Sequence, residues 1–102
     1  MKKRFVVCLD ASATREQEQE FLNFVKSNRY GWWHWLPNTW LIVDGSGNLD
    51  RAVLRDEVVT SYPEVFNLVL EIPAEVLGLW SGFGVSSPKK DMFKWIRENW
   101  EH

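Results

Sequence analysis

The sequence predicts an α+β protein with the element order βαββαβ and one four-stranded antiparallel sheet. A tryptophan-rich hairpin occupies residues 31–45, and an amphipathic helical pattern lies on each side of it in the chain. Apolar, strand-like runs at residues 4–10 and 66–72 flank the two helices. Split βαβ units of this kind place both helices on one face of the sheet, with the strands in the spatial order 4-1-3-2.

The first strand is the apolar run that ends at Asp10, and the first helix follows it. Thr14 and Gln17 have capping-box spacing, which satisfies two free backbone N–H groups at the start of a helix. Apolar residues then recur at helical spacing, so we expect this helix to end near Asn28.

Strands two and three come from the hairpin. Four of the seven tryptophans lie in two apolar runs separated by Pro37 and Asn38, a dipeptide that favours a turn. A glycine-rich turn then leads into a second helix at about residues 49–61, which Pro63 ends. Apolar residues alternate along the fourth strand, and Pro73 closes it.

Residues 74–102 form an appendage to that core, within a single domain that spans residues 1–102. Ser87 is the predicted N-cap of a last helix, with Pro88 at its first position. We expect the appendage to pack on the sheet edge or on a dimer mate. The apolar stripe of this helix consists of Met92, Ile96 and Trp100.

Composition and charge limit the possible functions. The net charge is −2, so the basic excess of a strongly phosphate-bound protein is absent. A nucleic-acid role would depend on residues 2–4 or on Lys89 and Lys90, for which solvated terminal charge is the simpler interpretation. The single cysteine, Cys8, and the absence of a run of about 18 apolar residues predict a cytoplasmic protein without a membrane span.

Both faces of the predicted sheet are apolar. In strand one Phe5 and Val7 alternate with Val6 and Cys8, whereas a sheet with one wet face carries polar residues at every second position. The face without helices therefore needs a cover. A homodimer with the tail wrapped round the edge is the interpretation we favour; closure by the tail within a monomer and a foreign partner are the alternatives. The residues predicted to pack against the dimer mate or the tail are Trp40, Ile42, Trp80, Trp95 and Trp100.

Several motifs occur in an order that one group of proteins shares. They are residues 8–10 at the end of strand one, the hairpin that ends in residues 40–43, Arg55-Asp56 in helix two, and residues 80–84 before a tryptophan-rich helix. Over residues 4–100 the chain resembles the small SinR-like proteins, which are related to the second subunit of the CRISPR spacer-acquisition machinery. The resemblance implies a ferredoxin-like homodimer.

The resemblance also implies a metal site. In the spacer-acquisition proteins an aspartate that ends strand one can hold a divalent metal with its dimer mate, and Asp10 matches that position. Asp10 would then hold Mg²⁺ or Mn²⁺ in an endonuclease or endoribonuclease. The alternative is an aspartate that accepts hydrogen bonds from turn amides. Leu9 replaces an aromatic residue of those proteins and the first helix is acidic, and both departures favour a protein without catalysis.

Two functions fit these residues. One is a dimer associated with nucleic acid, as a scaffold or a weak metal-dependent nuclease. The other is a non-enzymatic protein-binding module, such as a phage or mobile-element factor that docks on a host complex through its tryptophan-rich surface. His34 is a candidate general base or, without a carboxylate near it in the sequence, a structural histidine. The residues assigned to nucleic-acid or partner binding are Trp32, His34, Trp35, Lys89 and Lys90.

Overall fold

The four predicted strands form one antiparallel sheet in the order β2-β3-β1-β4, which confirms the predicted fold class and strand order. The structure, a computed structural model, describes residues 1–11 and 13–101; Ser12 and His102, the last residue of the predicted appendage, lie outside the described residues. The elements are β1 (Lys3–Leu9), α1 (Arg15–Ser27), β2 (Gly31–Leu36), β3 (Thr39–Asp44), α2 (Arg51–Ser61), β4 (Asn67–Ile72) and a π-helical turn (Ile96–Trp100).

Side-chain caps set the starts of both helices. Thr14 Oγ1 accepts a hydrogen bond from the Gln17 backbone N–H at 3.2 Å, and Gln17 Oε1 accepts one from the Thr14 N–H at 2.8 Å. This is the capping box that the sequence predicts. Helix α2 begins slightly later than predicted, because Asp50 is its N-cap and accepts from the Ala52 N–H at 2.7 Å.

The helices cover one face of the sheet and form the main core with it. In an antiparallel pair, residues directly opposite each other lie on the same face. Trp40 lies opposite Val7, and Ile42 lies opposite Phe5, so all four point towards the helices. Trp40 and Ile42 therefore belong to the helix-side core, which corrects the prediction that they pack against the tail or a dimer mate.

The tail, residues 74–101, packs on the other face of the sheet within the same chain. Its cluster joins Trp33 and Val43 of the sheet to residues of the predicted stripe. Trp80 and Trp95 pack against the same cluster. The tail thus covers the sheet within one chain, as the monomeric alternative requires. We call the side of the sheet opposite the helices the tail face. The stripe residues buried in the cluster are Met92, Ile96 and Trp100.

The predicted helix start at Ser87 and Pro88 is wrong. Ser87 Oγ accepts from the Lys90 N–H at 3.0 Å and donates to the Lys90 carbonyl oxygen at 3.1 Å, which closes a tight turn. An isolated bridge between Ser86 and Asp91 extends this turn into a short hairpin. A serine hydroxyl serves a turn as well as a helix start, so the residue pattern alone does not separate the two.

We predict that removing buried tail atoms destabilises the whole domain. Ile96 is buried in the tail-face cluster, so Ile96→Ala should lower the free energy of unfolding by about 2–5 kcal/mol, measured by urea denaturation. Val59→Ala, on the exposed side of α2, is the matched control and should change it by less than about 0.5 kcal/mol. Equal effects of the two substitutions would show that the tail does not stabilise the sheet.

Candidate functional site

The outer edge of β2 carries a groove of about 680 Å³ with an aromatic wall. Trp32 and Trp35 are 36% and 44% exposed, so indole surface in this groove is available to a partner. Large aromatic side chains that stay in contact with water are typical of both protein and nucleic-acid interfaces. The side chains that line the groove are Tyr30, Trp32, Trp33, His34, Trp35 and Trp95.

The hairpin tryptophans serve two faces of the sheet. Trp33 Nε1 donates to the Met92 carbonyl oxygen at 2.5 Å, and this bond fastens the tail to β2. Trp32 and His34 pack instead on Trp40, on the helix side. Trp33 therefore lies on the tail face, and Trp32 and His34 lie on the helix side. A register irregularity between residues 33 and 36 ends simple alternation before Trp35.

His34 is held by both of its ring nitrogens. Nδ1 lies 2.8 Å from the Thr39 carbonyl oxygen, and Nε2 lies 2.5 Å from Glu18 Oε2 on α1. The ring also stacks on Trp40, with the centroids 3.8 Å apart. Each ring nitrogen thus lies within hydrogen-bond distance of a protein oxygen, and neither is free to contact a substrate. This geometry favours the structural role over that of a general base.

Glu18 is the carboxylate that sequence reasoning missed. It lies 16 positions before His34 in the chain, and only the packing of α1 over the hairpin brings the two together. Its other oxygen accepts from Tyr62 Oη at 3.4 Å, and Tyr62 Oη accepts from Trp40 Nε1 at 3.1 Å. Burial, followed by the charge of Glu18, raises the pKa of Tyr62 well above its ordinary value.

Basic side chains border the aromatic groove at one end. A neighbouring hollow of about 320 Å³ shares Gly31 and Trp95 with the groove and is lined by Lys2 and Arg29, but also by Glu98. This combination of cations and indoles was not apparent in the sequence, because the residues come from four separate segments. The structure places Lys89 and Lys90, the predicted basic contacts, elsewhere, exposed in the short hairpin of the tail.

Asp10 takes part in a backbone junction. Its Oδ1 accepts from the Phe66 N–H at 3.1 Å, and its own N–H donates to the Phe66 carbonyl oxygen at 3.0 Å. These bonds tie the end of β1 to the start of β4, which is the turn-amide role given as the alternative for this residue. Among the described residues no cluster of three or more His, Cys, Asp or Glu side chains is placed to hold a metal ion.

Asp44, at the end of β3, lies across the sheet from Lys3 and far from Asp10 in register. Its carboxylate accepts from the Ser46 N–H at 2.9 Å and from the Leu49 N–H at 2.7 Å. Burial raises the pKa of Asp44. The hydrogen bonds from Ser46 and from nearby backbone amides together lower it by more than burial raises it, so the pKa lies below the usual value. Asp44 organises the turn before α2.

An apolar strip along β4 is the surface feature that sequence analysis did not single out. Phe66, Leu68 and Leu70 are 78%, 56% and 45% exposed. Leu68 and Leu70 lie on the tail face, because they stand opposite Cys8 and Val6 of β1. The alternation of these residues was read from the sequence, but their exposure depends on how far the tail reaches. We call Phe66, Leu68 and Leu70 the β4 strip.

Comparison with protein-family models, with curated proteins and with solved structures returned no match. No helix in the described part of the chain is long and apolar enough to cross a membrane.

We predict that Tyr62→Phe weakens the domain in a pH-dependent way. Near pH 7 the substitution leaves the buried Trp40 Nε1–H without its acceptor, which should cost about 1–3 kcal/mol of unfolding free energy. The pKa of Tyr62 is raised in the folded state, so its contribution is present below the unfolded value of about 10 and is lost as the pH rises above it.

The difference between wild type and Tyr62→Phe should therefore shrink between pH 7 and pH 11, measured by chemical denaturation at each pH. Tyr30→Phe is the control for the lost hydrogen bond at pH 7: Tyr30 does not accept from Trp40 Nε1, so this substitution should cost less unfolding free energy there. A difference that stays constant over this range would show that Tyr62 is not the group that ionises.

Proposed function

We propose that this chain is a non-enzymatic protein-binding module that joins another polypeptide through the β4 strip, with a second copy of the chain as the first partner. The observation that carries the proposal is the combination of an unpaired sheet edge with three exposed apolar side chains on it. Isolated apolar side chains on a protein surface are ordinary, but a contiguous apolar patch marks an interaction site.

The edge of β4 lacks the features that keep sheet edges apart. Natural edge strands are protected by charges, prolines, bulges or a covering segment. Within Asn67–Ile72 the one charged residue is Glu71, which lies on the helix side and pairs with Arg51 at 3.6 Å. Among the described strands none pairs with the outer side of β4. Its backbone N–H and C=O groups are thus available for a partner strand.

A second β4 is a suitable occupant for this edge. Two β4 strands related by a two-fold axis would pair in antiparallel fashion and bring two apolar strips together. Addition of a strand uses main-chain hydrogen bonds for affinity and alternate side chains for specificity. Edge pairing would place the two strips side by side on one face of a continuous sheet, next to the part of that face that the tail covers, so each strip would bury part of its surface against the other.

The hydrogen bonds of the candidate catalytic residues support a role without catalysis. Asp10 holds the Phe66 N–H, and both nitrogens of His34 are engaged. The aromatic groove on the opposite edge, with Trp32 and Trp35, is suited to a further protein partner such as a host complex. A cytoplasmic location, inferred from the cysteine content, belongs to the same proposal.

We predict that lysines on the β4 strip prevent self-association. Leu68→Lys combined with Leu70→Lys places two cations where two chains would meet, and charged edges repel each other. The dissociation constant of the dimer should rise at least tenfold, or about 1.4 kcal/mol, measured by sedimentation or light scattering over a concentration series.

The matched control is Val59→Lys, which adds the same charge at an exposed apolar position of α2. It should leave the dissociation constant unchanged. A wild-type chain that stays monomeric over the whole concentration series, or a double variant that associates as tightly as wild type, would contradict the proposal.

A nucleic-acid-associated dimer, as a scaffold or weak metal-dependent nuclease, is the second candidate function. The observation that favours it is the contact between the aromatic groove and the hollow lined by Lys2 and Arg29. Indoles that stack on unpaired bases, beside cations that neutralise phosphates, are the usual elements of a single-strand binding surface. In this candidate Asp10, paired across the dimer, would hold Mg²⁺ or Mn²⁺.

We predict for this candidate that Trp35→Ala weakens the binding of a single-stranded oligonucleotide by about five- to 150-fold, measured by fluorescence anisotropy at low salt. One base stacked on an aromatic side chain contributes about 1–3 kcal/mol, and Trp35 is the most exposed indole of the groove. Asp10→Ala should bind as wild type and lose any cleavage when Mg²⁺ or Mn²⁺ is added. Cleavage retained in Asp10→Ala would remove this residue from the mechanism.

A further inference from the structure

A cavity of about 470 Å³ lies between the tail face of the sheet and the tail. Sites for small molecules usually have volumes of about 300–1,000 Å³ and apolar walls with a few polar groups. Among the described residues that line this cavity, Arg4 has the only charged side chain. Apolar wall residues include Val6, Leu41, Ile72, Trp80, Ile96 and Trp100.

Arg4 is a buried cation without a carboxylate partner in the described part of the chain. It is only 2% exposed, and none of the ion pairs of the described residues includes it. Nη1 donates to the Trp100 carbonyl oxygen at 3.2 Å, and Nη2 donates to the carbonyl oxygens of Pro73, at 2.5 Å, and Val76. Carbonyl groups satisfy these donors, but they supply no negative charge.

One N–H donor of the guanidinium also lacks a hydrogen-bond acceptor among the described residues. Arg4 Nε is buried and has no hydrogen-bond acceptor among the described residues. A guanidinium carries five N–H donors, and the three carbonyl groups do not use all of them. A group with two acceptor oxygens could accept hydrogen bonds from the remaining donors. The Trp100 ring, whose centroid is 5.5 Å from Arg4 Cζ, adds a cation–π contact but no acceptor.

The positive charge of Arg4 affects the pKa of Lys2, a nearby basic residue. Burial, and then the charge of Arg4, lower the pKa of Lys2. An isolated buried charge is unfavourable, and an anion with good geometry offsets that cost. The cavity therefore has the electrostatic character of a site for an anion and the walls of a site for a hydrocarbon.

We propose that this cavity binds a small amphipathic monoanion, a molecule with one carboxylate on an apolar body. Arg4 would receive the carboxylate, and the apolar body would lie against the sheet and the tail tryptophans. One cation in the wall matches one anionic charge, whereas a polyanion such as a nucleotide would leave further charges unpaired. Leu79 is 80% exposed and lines the same cavity, which places it at the entrance.

Three probes that each carry an unbranched ten-carbon chain test the proposal: decanoate, decanol and decyltrimethylammonium, each at a concentration at which it is dissolved as single molecules. Titration calorimetry, with tryptophan fluorescence as a second readout, measures binding to the full chain. We expect one decanoate per chain and an affinity at least tenfold higher than for decanol, since a hydrogen bond to a charged group contributes about that factor. Equal affinities for decanoate and decanol, or no decanoate binding, would overturn the proposal.

Substitutions then locate the site. Arg4→Met keeps an unbranched side chain, removes the guanidinium and should reduce decanoate binding to the level of decanol. Because Arg4 is buried and this variant can fail to fold, the exposed Leu79 provides a second pair. Leu79→Glu should bind decanoate more weakly than Leu79→Gln, since only the glutamate repels the carboxylate. The assignment would be contradicted if these two variants bound decanoate equally well and Trp35→Ala bound it more weakly than wild type. That result would place the ligand in the aromatic groove.

The outcome is independent of the proposed assembly. The variant with Leu68→Lys and Leu70→Lys, designed to prevent self-association, should bind decanoate with wild-type affinity, because neither residue lines the cavity. Loss of decanoate binding in this variant would place the ligand at the β4 strip and overturn the cavity assignment.

Discussion

A sheet that is apolar on both faces is the constraint on which the rest of this structure depends. Phe5 and Val7 of β1 face the helices, whereas Val6 and Cys8 face the opposite way. Such a sheet is stable in water only when two layers cover it. The helices provide one layer, which buries the main core. The tail provides the other in part, and its incomplete reach creates both the cavity and the exposed edge.

The strand register shows where the tail stops. The row Ile72–Arg4–Val43 lies beneath the tail, and Ile72 and Arg4 line the cavity. In the second row Val6 and Leu41 also line the cavity, whereas Leu70 on β4 is exposed. The third row, which contains Leu68 and Cys8, lies beyond the cavity, and there Leu68 is exposed. Cover thus decreases along three rows, from the buried cluster and the cavity to the exposed β4 strip. Each proposed function uses a different part of this gradient or the aromatic edge of β2.

The fold could be predicted from the sequence because its local signals agree: the capping box at Thr14, the turn at Pro37-Asn38 and the alternation in β4. The face to which Trp40 points could not be predicted, because alternation cannot distinguish two apolar faces. The partners of His34 and Arg4 could not be predicted either. Glu18 reaches His34 only through helix packing, and Arg4 belongs to a basic N-terminal run that pattern alone assigns to solvent.

The position of the tail in the chain has a consequence for biosynthesis. Residues 92–100 close the tail face, yet they leave the ribosome after all four strands have emerged. Until then the nascent sheet presents Val6, Leu41 and Val43 to the surrounding water, a situation in which chaperones bind and strands of neighbouring chains pair wrongly. Each new molecule therefore remains open to such encounters until residues 92–100 have left the ribosome and packed on the sheet.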